Sequence, residues 1–148
     1  MLAIVSNGRN WILVLVGGFV LLTVACAPLT DMTIRQQQKY STELTVNESY
    51  QVVFARVANQ LRQCHFHAPM AAQLTVSADK DNHLKQATVR LTRLYGPVSE
   101  QVSFLVDVKE MEAGKSKVNI YSTGTYKKMA KASAAWATNE SPSCTLES

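Results

Sequence analysis

The 148-residue chain is sparing with glycine and proline, six and four residues, and no window repeats at a fixed period. That excludes collagen-like, low-complexity and solenoid architectures. No Gly-x-Ser-x-Gly elbow occurs, and the three histidines have no evident serine or acid companions, so a hydrolytic triad has no candidates. A glycine-rich phosphate loop is missing as well, since Gly124 stands alone after Thr123. Glu110 and Glu112 fall in an expected hairpin, where carboxylates face solvent, and no other carboxylate pair suggests acid–base chemistry. The formal charge of +4 is spread along the chain, and only Lys127, Lys128 and Lys131 cluster. A nucleic-acid surface needs a concentrated basic stripe, so no nucleic-acid partner is expected. These absences read as a protein that is not an enzyme and carries no cofactor.

Long apolar runs are absent beyond the first 29 residues, but one lies within them, Trp11 to Ala25, broken by Gly17-Gly18. Arg9 precedes it and small residues with Cys26 follow, which is the layout of a secretory signal. A membrane-spanning helix is the rival reading, although the run is shorter than the roughly 20 residues a span needs. Leu22-Thr23-Val24-Ala25-Cys26 resembles the lipobox of bacterial lipoproteins, with Thr23 where that family most often has leucine. The resemblance implies that residues 1–25 are removed and that Cys26 becomes the acylated first residue. With Ala27 rather than aspartate after the cysteine, it also implies an outer-membrane lipoprotein whose domain faces the periplasm. Two or three acyl chains then hold the protein, because each buried methylene contributes about 0.8 kcal/mol and one chain anchors only marginally. Loss of residues 1–25 removes one cation, Arg9, and no anion, so the mature charge is +3.

From Ala27 to about Lys39 the chain is polar, includes Gln36-Gln37-Gln38-Lys39 and shows no sustained apolar period, the rival to a flexible tether being a frayed helix over 36–40. Residues 26–40 are read as the lipidated N-terminus and a tether, and 41–148 as one domain. Thirteen flexible residues span about 20 Å root-mean-square. The domain opens with a short alternating strand over 41–46. A helix follows, capped by Asn47, with Glu48 in its first turn and Tyr50, Val53, Phe54, Val57, Leu61 and Cys64 at helical spacing. Residues 73–77, 84–94, 102–108 and 117–122 read as strands, separated by turn signals at Asp79-Lys80-Asp81-Asn82, Gly96-Pro97 and Glu112-Ala113-Gly114-Lys115. In the third of these, Val102, Phe104, Val106 and Val108 share one face; Ser103, Asp107 and Lys109 take the other, with Leu105 the exception among them. Residues 126–138, rich in alanine and containing Met129 and Trp136, predict a second helix. The expected fold is α+β: strand, helix, four-stranded antiparallel meander and C-terminal helix, with the helices on one face of the sheet.

With Cys26 lipidated, Cys64 and Cys144 remain, and an oxidising compartment favours a disulfide between them. The competing use of that sulfur is metal ligation, since Cys64, His65 and His67 are ligand types zinc and copper accept. No second cluster supplies a clear fourth ligand, and His83 sits alone in a turn. Two functional readings follow. One is an interaction or structural module that docks an envelope protein or a cell-wall component through a sheet edge or the wet face with Leu105, Tyr95 and Tyr121. The other is a carrier of a small ligand or metal.

Overall fold

Alternation of apolar and polar residues, broken at Leu105, marks the longest described strand, which is the axis of the fold. In the computed structural model, which describes residues 30–36, 41–66, 74–95, 99–112 and 114–140, Phe104, Val106 and Val108 are fully buried on one side of that strand. The elements are α1 (Asp31–Gln36), β1 (Ser41–Val46), α2 (Tyr50–Phe66), β2 (Leu74–Asp81), β3 (Gln86–Tyr95), β4 (Ser99–Glu112), β5 (Lys115–Ser122), a 3-10 turn (Gly124–Tyr126) and α3 (Lys127–Ala137). The fold is α+β, as the pattern predicts. The strands β2 to β5 form the meander, and β1 adds a fifth strand against β5, so the antiparallel order is β1-β5-β4-β3-β2. Among the described residues no helix is long and apolar enough to cross a membrane.

Register shows where the sequence reading was too regular. Leu91 faces Phe104 but Thr92 faces Val102, so a bulge at Ser103 shifts the stripe by one residue. Val102 therefore leaves the face it was expected to share with Phe104 and is not part of the core. A bulged residue has backbone groups outside the ladder, and here the Ser103 carbonyl accepts the Thr123 N–H at 3.1 Å, fixing the chain as it leaves β5.

The helix α2 lays Tyr50, Val53, Val57, Leu61 and Cys64 on the sheet, all at most 1% exposed. It begins later than Asn47 predicts. The Ser49 carbonyl accepts the N–H groups of Val52 and Val53 at 3.1 and 3.2 Å, so the first turn starts after Ser49. Glu48 precedes the helix instead of lying in its first turn. Its carboxylate pairs with Arg56, and its carbonyl accepts the hydroxyl of the fully buried Ser116 at 2.5 Å. Arg56 also donates to the Ala137 carbonyl at 3.0 Å, joining α2 to the end of α3.

The second helix of that layer, α3, buries Met129, Ala130, Ser133, Trp136 and Ala137. It ends in a Schellman arrangement: Glu140 donates to the Ala135 carbonyl at 2.9 Å and Asn139 to that of Trp136 at 3.1 Å. Asn139 takes the left-handed conformation, φ 66°, that such an ending requires and that asparagine tolerates. The core thus lies between one face of the sheet and the α2–α3 layer, filled by side chains of the domain itself.

Candidate functional site

The other face of the sheet carries what the core stripe leaves over: Thr88 and Arg90 of β3, Leu105, Asp107 and Lys109 of β4, and Lys117, Asn119 and Tyr121 of β5. A leucine among these should face water, yet Leu105 is fully buried and lies outside the main core cluster. The cause is α1. Residues 31–36, placed by their polarity in a flexible tether, form a helix packed on β4 and β5. Its one buried side chain is Ile34, 2% exposed and likewise outside the main core. The tether reading is therefore corrected at these residues, and the helices occupy both faces of the sheet, α2 and α3 on one and α1 on the other.

Six residues cannot hold a helix in water by themselves, because nucleation costs more than one or two turns return. Tertiary contacts hold this one. Arg35 grips Asp107 with two parallel bonds, Nε to Oδ2 at 2.7 Å and Nη2 to Oδ1 at 2.9 Å, the fork geometry that makes arginine–carboxylate pairs strong. Thr88 donates its hydroxyl to the same Oδ1 at 2.7 Å. At the other end of α1, Asp31 accepts Arg90 Nε at 2.5 Å, while Arg90 also pairs with Asp79. Two carboxylates and two guanidiniums thus alternate across the junction of α1 with the sheet, half-buried throughout.

The electrostatics agree with that arrangement. The Asp107 hydrogen bond raises the Arg35 pKa above its ordinary value despite burial. Burial lowers that of Arg90, but Asp31 and Asp79 outweigh it and leave it raised. Both cations are locked on. Tyr121 is pushed up by burial and by the Asp107 carboxylate, against a smaller opposing effect of Arg35. A raised phenol pKa favours the neutral form in the fold, so its contribution is complete below the ordinary value of about 10 and is lost as pH rises through the folded value. Tyr121→Phe is therefore expected to flatten the alkaline limb of a Tm-versus-pH profile without moving Tm at pH 7; an unchanged limb would contradict this.

A polar depression of about 370 Å³ opens beside the junction, lined by Arg35, Gln86, Thr88, Asp107, Lys109 and Asn119. Its carboxylate is already satisfied by Arg35 and Thr88. The buried side-chain polar atoms without a partner among the described residues, Ser122 Oγ, Ser133 Oγ and Trp136 Nε1, belong to residues of the core side. No described group of three or more His, Cys, Asp or Glu side chains could hold a metal.

Of the residues singled out in the sequence, Cys64 is 1% exposed at the end of α2 and is disulfide-bonded. Cys26, His67 and Cys144 lie outside the described residues, as do the side chains of His65 and Tyr95. Leu105 is withdrawn from the wet face and Tyr121 is half-buried there. His83 lies exposed in the β2–β3 turn, where its N–H and that of Leu84 both donate to Asp81 Oδ1 at 2.9 Å. The α1 docking site was missed by sequence reasoning; Leu105 among polar neighbours was its one visible trace. No protein-family model matches the chain, and no curated protein matches it.

Proposed function

We propose that the protein is an outer-membrane lipoprotein, acylated on Cys26, whose domain faces the periplasm and works as an interaction or structural module. The observation that carries the reading is the signal-like run ending in Leu22-Thr23-Val24-Ala25-Cys26 immediately ahead of a small folded domain. In support of a docking role, the sheet ends in two outer strands. Of these β2 is the longer, eight residues against six, and pairs with β3 alone among the described strands. An edge strand of that length offers a row of backbone donors and acceptors to an envelope protein or cell-wall component. Cys144 is the proposed partner of Cys64.

The second reading, a small-ligand or metal carrier, draws less support. A disulfide sulfur is not a thiolate, so Cys64 does not complete a ligand set with His65 and His67.

Intact mass and density-gradient fractionation of the full chain test the anchor. The wild type is expected to lose residues 1–25, gain the mass of its acyl groups and sediment with the outer membrane, and Cys26→Ser is expected to abolish all three. Unchanged mass and unchanged fractionation of the variant would overturn the anchor. For the module, a photo-crosslinking residue at Thr75 in β2 is expected to give a discrete adduct in intact cells that the same residue at the exposed Asn59 of α2 does not.

A further inference from the structure

Docking of α1 determines how the domain can stand on a membrane. Between Cys26 and Asp31 lie four residues, Ala27 to Thr30. Fully extended, that stretch reaches at most about 18 Å. The domain has three layers, α1, the sheet and the α2–α3 layer, each about 10 Å thick. A chain fixed at Asp31 on the outer surface of the first layer cannot pass around all three, roughly 30 Å, to let the third rest on the bilayer. If α1 were undocked, the 14 residues between Cys26 and Ser41 would reach about 50 Å, and every face would be accessible.

We propose that α1 is an orientation clamp: with Cys26 acylated, its docking holds the β3–β4–β5 outer face toward the lipid head groups and turns the α2–α3 layer away from the membrane. The inference rests on the lipoprotein reading above and deepens it by naming the membrane-facing surface. The charge junction supplies the hold, Asp31 on Arg90 at one end and Arg35 on Asp107 at the other, with Ile34 between them. An independent feature points the same way. Met32 is 68% exposed and sits two positions from Ile34, hence on the opposite side of the helix. An apolar side chain thus projects from the outer surface of the clamp, six residues from the acylated cysteine.

Native lysines report the orientation. Lys109 is exposed on the outer face and Lys131 is exposed on α3. The full-length lipidated protein, reconstituted in phosphatidylethanolamine–phosphatidylglycerol vesicles, is labelled with a bulky, membrane-impermeant amine reagent, and the Lys109-to-Lys131 labelling ratio is read by mass spectrometry. The ratio is expected to be at least threefold lower in vesicles than in detergent. Ile34→Asp, which places a charge in the junction, is expected to restore the detergent ratio while leaving the protein anchored. Arg35→Ala provides a milder release and leaves the main core untouched. Equal ratios in vesicles and detergent, or protection that persists in both variants, overturn the clamp. Failure of the anchor is separate and visible beforehand: a chain whose intact mass carries no acyl group on Cys26 overturns the lipoprotein reading and the clamp with it.

Discussion

Phe104→Ala is expected to bring the domain close to unfolding at room temperature. The ring is fully buried on the central strand, flanked by Leu91 across β3 and Ser122 across β5, and beneath the α2–α3 layer. Truncating such a side chain loses its transfer free energy and leaves a cavity that a sheet anchored on both sides cannot collapse into. Together these effects cost about 3–5 kcal/mol, against a total stability on the order of 5–15 kcal/mol for a domain of this kind. Urea unfolding followed by tryptophan fluorescence measures it. After removal of residues 1–25, Trp136 is the sole tryptophan, and at 1% exposure its emission shifts on unfolding. The midpoint should fall sharply for Phe104→Ala and hold within error for Leu84→Ala, whose side chain is 56% exposed. Equal midpoints for the two variants would contradict the assigned core.

Reduction of the Cys64 disulfide is the second large effect. Cys64, in the last turn of α2, belongs to the core cluster and is disulfide-bonded, and the other two cysteines of the sequence stand 38 and 80 positions away. Removing a native disulfide from a small secreted domain costs about 2–5 kcal/mol. At about 4–8 °C per kcal/mol for a domain near 100 residues, Tm should drop by roughly 8–40 °C. Calorimetry with and without reductant reads this directly, and Cys64→Ala should reproduce the reduced value. Cys144→Ala is expected to give the same loss, and a wild-type Tm for that variant would rule out Cys144 as the partner.

The parts of the fold that were legible are those with long, regular and local signals. In α2 the apolar positions from Tyr50 to Cys64 repeat over four turns, and every strand of the meander alternates between turn signals. Local pattern cannot register one inserted residue, so the bulge at Ser103 and the displaced Val102 were invisible. For α1 the limit was different. A six-residue helix with one apolar residue has no periodicity to detect, and the residues that hold it stand far along the chain: Arg35 and Asp107 are 72 positions apart, Arg90 and Asp31 59. Leu105 broke the pattern for a reason that lay 71 positions away at Ile34. The start of α2 was misplaced because Asn47 and Glu48 are good capping chemistry in isolation, while the buried Ser116 hydroxyl draws the Glu48 carbonyl instead.

Pairing the first strand with the last also fixes an order of events. The partner positions of β1 on β5, Ser41 with Tyr121 through Val46 with Ser116, close the longest loop in the sheet, and closure entropy delays such contacts until the intervening hairpins exist. The docking surface of α1 likewise consists of β4 and β5. In a chain made N-terminus first, neither α1 nor β1 can therefore reach its place on the sheet until residue 122 is available.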